Sequence, residues 1–137
     1  MARQKFMLTI IANQINFVPL LLLKRWVDQS KYDLDTARSL YRAKRYIYTI
    51  FMCHLAIEKI LKALVVKQTG QPPPKTHNLI NLMKLGNAKL TDEQVKFVSR
   101  LSLAGIVTRY PDELNQGSKG IPAFYRQQLL KVYKGSD

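Results

Sequence analysis

RYIYTIFMCHLAIEKILKALVVKQ, residues 45–68, decides the fold. It contains no Gly or Pro, and its apolar residues recur at helical spacing. Ile47, Ile50, Ile57, Leu61 and Leu64 follow steps of three, four and seven, while Phe51, Leu55 and Val65 widen the stripe. A helix apolar over so much of its circumference is expected at the centre of a bundle. His54, Glu58 and Lys62 stand at successive four-residue steps and form one polar row on this helix. A buried carboxylate is costly alone, so Glu58 requires Lys62 one turn on or a donor from another helix. A structural ion pair that fixes helix register outweighs a functional site as the reading of this row.

The flanking segments extend the helical pattern. Residues 1–22 form an apolar arm in which Asn13, Gln14 and Asn16 interrupt the hydrophobic run and Pro19 breaks it. A docked or partly ordered arm ranks first there, an over-extended start with Met7 as an internal alternative second, and a membrane anchor last. From about residue 20 to residue 41 the pattern is amphipathic. Val27, Leu34 and Tyr41 lie on one side with Ala37 and Leu40, Asp28, Lys31, Asp35 and Arg38 face out, and Trp26 anchors one end. The short link RAKR predicts an antiparallel partner for the central helix, which should end at Gly70 ahead of three prolines. Thr76 or Asn78 suits the cap of a short helix reaching Gly86, and Thr91 with Gln94 forms a capping box for the next. That helix is carried by Val95, Val98, Leu101 and residues 103–107 until Pro111, and Pro122 opens a last one. No sustained period of two appears. The chain reads as all-α, a bundle of about five helices, with the domain proper at residues 23–137.

Charge is the unusual feature of the composition. Twenty-two Lys and Arg face nine Asp and Glu, giving +13, a surplus that attracts RNA, DNA, anionic membranes or an acidic partner. The cations are spread along the chain, so a binding surface must be assembled by folding. The single cysteine, Cys53, excludes an intrachain disulfide and reads as a small buried hydrophobe in a reducing compartment, with cytoplasm as the default.

Motifs for common enzyme classes are missing. The chain has no glycine-rich phosphate loop, no HExxH and no nucleophile elbow. Two histidines, His54 and His77, are too few and too far apart to suggest a metal pair, and no metal or cofactor is implied. Carboxylates are too scarce for glycosidase-like or two-metal chemistry. His77 lies in a Pro-rich loop at a helix start, where a capping or packing role is slightly favoured over a functional one. Arg109-Tyr110-Pro111 closes the fourth helix, where Arg and Pro are ordinary C-terminal residues.

AIEKILKAL, GQPPPKTHNLINL and RYPD, in this order and at these spacings, resemble the HEPN domain family of prokaryotes. The resemblance covers about residues 24–133. It implies an up-and-down helical bundle that commonly forms a homodimer and is often encoded beside a minimal nucleotidyltransferase, frequently in toxin–antitoxin modules. It also implies nucleotide binding or, in many members, metal-independent ribonuclease activity. The nucleases carry Arg, four to six residues, then His on one helix. Here eight residues separate Arg45 from His54, no basic residue stands at the right distance before His77, and no His follows Arg109.

The resulting expectation is a non-catalytic or weakly catalytic module that binds nucleotide, RNA or a nucleotidyltransferase partner. Lys59, Lys62, His77, Arg109 and Tyr110 are the expected ligand-binding residues. Cations would meet phosphate, Tyr110 would stack on a base, and Glu58 would orient Lys62 or Arg109. A ribonuclease toxin combining His77 or His54 with Arg109 is the alternative. A helical protein held at the membrane by residues 6–23 comes after both.

Overall fold

The computed structural model describes residues 2–107. These residues form four helices and no strand: α1 (Ala2–Arg42), α2 (Tyr46–Thr69), α3 (Leu79–Leu85) and α4 (Asp92–Val107). The expected last helix at Pro122 and the triplet Arg109-Tyr110-Pro111 lie outside the described residues. Among the described residues the fold is all-α, as the periodicity requires. No helix there is long and apolar enough to cross a membrane.

α1 and α2 form an antiparallel hairpin. Its register is marked by contacts stepping away from the turn: the Tyr41 and Tyr46 rings 5.6 Å apart, Ser30 Oγ donating to the Ala56 carbonyl at 2.7 Å, and Lys62 Nζ over the Trp26 ring. Pro19, expected to break the first segment, lies inside α1. Proline removes one amide donor from the ladder, and the strongly helix-forming Leu run at residues 20–23 continues the helix beyond it.

α2 also packs against α3 and α4, so its buried residues point to nearly every side. Ile50, Cys53, Leu61 and Val65 meet Ala37 of α1, Leu79 and Leu82 of α3, and Val98, Leu101 and Ala104 of α4 in one core. Two apolar positions depart from the expected stripe. Ile47 is 39% exposed in the first turn of α2 beside the solvent-facing connection, and Leu103 is 63% exposed on the outer side of α4.

Local chemistry ends the helices where the sequence indicates. Gly70 adopts φ 67° and donates its N–H to the Val66 carbonyl. Asn78 caps α3 by accepting from the Asn81 N–H, and Thr91 and Gln94 exchange side chain-to-backbone bonds of 3.2 and 3.0 Å.

Cys53 is free and buried, and burial pushes its thiol up to about 11 from an ordinary 9.0. The folded state therefore disfavours the thiolate. Two pKa units alone should slow alkylation at pH 7.5 by about 100-fold relative to unfolded chain. Mass spectrometry of iodoacetamide-treated native and urea-unfolded protein checks this, and equal rates would remove Cys53 from the core.

Candidate functional site: a buried carboxylate shared by histidine and lysine

The polar row of α2 becomes a site because α1, α4 and the loop before α3 close over it. Glu58 is at its centre. Lys62 Nζ donates to Glu58 Oε1 at 2.7 Å, and both side chains are buried. The Lys62 ammonium also lies 5.2 Å from the centre of the Trp26 ring. His54 Nδ1 is 3.7 Å from Glu58 Oε2, and the backbone of Gly105 in α4 lies against the His54 ring.

His77 reaches the same carboxylate from outside α2. The loop is stiffened by three prolines and by Thr76, whose N–H donates to the Pro74 carbonyl and whose hydroxyl accepts from the Asn78 N–H. Cap bonding at Asn78 then starts α3, leaving His77 pinned between two local networks. Its Nδ1 sits 3.2 and 3.1 Å from the two Glu58 oxygens, while the side chain remains 65% exposed. Opposite an ionised carboxylate, Nδ1 is the nitrogen that donates, which leaves Nε2 as the ring nitrogen not engaged by Glu58.

Burial by itself would raise the Glu58 carboxyl. Hydrogen bonds from Lys62 and His77, with their charges, outweigh burial and hold its pKa below the ordinary carboxylate value. Among the described residues no three His, Cys, Asp or Glu side chains gather as metal ligands.

The structure thus brings together Glu58, Lys62 and His77 from the expected set, and adds His54, Trp26 and Gly105. Lys59 is placed elsewhere. Its ammonium pairs with the buried Asp33 of α1 at 2.6 Å. Arg109 and Tyr110 lie outside the described residues. Asp33 did not stand out in the sequence, although Ser30, Asp33 and Ala37 follow three- and four-residue steps and share the buried side of α1. That spacing is the signal that could have found it.

A model of the HEPN domain family matches residues 23–128, most of the chain. The chain belongs to the HEPN domain family. No curated protein and no solved structure matches it. The HEPN match takes in the whole Glu58 cluster and continues beyond the described residues through Arg109 and Tyr110. It begins after residues 1–22, so nothing in the family assignment depends on the apolar start of α1. Within this HEPN bundle, His77 is the exposed member of a group whose other ionisable members are buried.

Proposed function

We propose that this HEPN chain is a non-catalytic or weakly catalytic nucleotide- or RNA-binding component of a two-component, toxin–antitoxin-like module. A nucleotidyltransferase would be the other component. The observation that carries this reading is the inward commitment of the polar cluster. Glu58, Lys62 and His54 are buried, only His77 opens to solvent, and no Arg precedes either His at the family's nuclease spacing. The net charge of +13 supports a polyanionic ligand.

His77 is the first contact for such a ligand. Lys59 and Lys62 reach a phosphate only by leaving Asp33 and Glu58, and Arg109 and Tyr110 complete the surface as a cation and a stacking ring. The module acts as a homodimer in the cytoplasm, where Cys53 stays a thiol.

The Glu58–His77 contact favours a second reading. An imidazole oriented by a carboxylate and exposing Nε2 is the arrangement of a general base. A metal-independent ribonuclease toxin would use it with Arg109. Incubating labelled RNA with wild type, His77→Ala and Arg109→Ala in EDTA separates the two. Retardation without cleavage, weakened in both variants, is the expected result. Cleavage by wild type that His77→Ala abolishes would establish the ribonuclease instead. Neither binding nor cleavage of RNA, together with no nucleotide binding, would overturn both readings.

A further inference from the structure

The α1–α2 connection carries more charge than turning the chain requires. Arg42, Lys44 and Arg45 fall within four residues, all are exposed, and none pairs with a carboxylate among the described residues. The nearest acid upstream, Asp35, is held by Arg38 at 2.9 Å. Tyr48 follows Arg45 by three residues, within the first turn of α2, and is 64% exposed.

The backbone makes the cluster more telling. The Arg45 N–H donates to the Leu40 carbonyl at 2.8 Å and the Lys44 N–H to the Tyr41 carbonyl at 3.0 Å, a Schellman closure with Lys44 at its left-handed position, φ 60°. The other left-handed positions among the described residues are Gly70 and Asn87, residue types that suit that conformation. A lysine does not, because its Cβ crowds the following carbonyl. Glycine at Lys44 would relax the turn and remove the charge. The turn is also rigid, since the Tyr41 and Tyr46 rings pack together and Thr49 Oγ1 donates to the Arg45 carbonyl at 2.9 Å.

We infer that the α1–α2 turn is a binding site for single-stranded RNA, with Arg42, Lys44 and Arg45 on phosphates and Tyr48 stacked on a base. This rests on the RNA-binding reading above and adds a second contact region. An exposed ring beside cations fits an unpaired base and its backbone, whereas a membrane surface calls for a broader apolar face than Ile47 and Tyr48 supply. Twelve residues of α2 separate Arg45 from Glu58, about 20 Å along the helix.

Fluorescence anisotropy of a labelled oligouridine, with full-length protein in EDTA across a salt series, tests the site. Tyr48→Ala should weaken binding by about tenfold. Replacing Arg42, Lys44 and Arg45 together with Gln should lower the salt slope by about 2. Lys44→Gly should raise the thermal midpoint while weakening RNA binding, a pair of opposite effects that a purely structural lysine would not produce. If wild type binds RNA and these variants bind it equally well, the turn site is wrong and the RNA-binding reading stands. If wild type binds no RNA, the RNA-binding reading and the turn site fail together. Binding only to phosphatidylserine vesicles would also overturn the turn site, reassigning it to membranes.

Discussion

Glu58→Gln should lower the unfolding free energy at pH 7 by about 3–5 kcal/mol, because it leaves the buried Lys62 ammonium without its counter-charge. The amide is close to isosteric, so packing changes little. What changes is electrostatic: Lys62 keeps its Trp26 ring but loses the carboxylate at 2.7 Å, and His77 loses its anchor. Urea unfolding measures the cost. Replacing Lys62 with Met in the same chain should recover a large part of it, since the orphaned charge is then gone.

The pH dependence follows from the same carboxyl. Its pKa is lower in the folded state than the ordinary 4.5, so it contributes stability above that value. The contribution is lost as pH falls through the folded pKa. The stability gap between wild type and Glu58→Gln should therefore narrow progressively below about pH 4.5. A gap unchanged from pH 7 to pH 3 would show that Glu58 is not ionised in the fold.

Gly105→Ala should destabilise the bundle by about 2–3 kcal/mol, although alanine inside a helix is ordinarily favoured over glycine by about 0.5–1 kcal/mol. An added Cβ would stand 2.3 Å from His54 Cδ2 and 2.6 Å from Nε2. His54 is buried beside Glu58 and has little room to turn, so α4 must move away from α2. Thermal and urea unfolding should both register the loss. In a His54→Ala background the same substitution should cost much less, because the ring that blocks the methyl is absent. A variant as stable as wild type would mean that α4 does not approach α2 this closely.

Much of this architecture is legible from local rules. The period of residues 45–68, the cap at Gly70, the Thr91–Gln94 box and the RAKR link depend on interactions within a few residues, so the sequence carries them directly. Glu58's need for a partner is legible for the same reason: Lys62 lies four residues on, and burying a carboxylate unpaired is costly. Pro19 marks the opposite case. Its local cost was plain, yet α1 continues through it.

His77 lies nineteen residues from Glu58, and no periodicity links the loop to α2. Lys59 stands beside Glu58 in sequence yet pairs with Asp33, because adjacent residues on a helix point in different directions. Gly105 looks like an ordinary small residue until α4 is laid on the His54 ring. By itself the sequence determined an all-α HEPN chain with a polar row on its central helix. Only the tertiary structure decided that His77 joins Lys62 on the Glu58 carboxylate, because the loop before α3 meets α2 only when the helices pack.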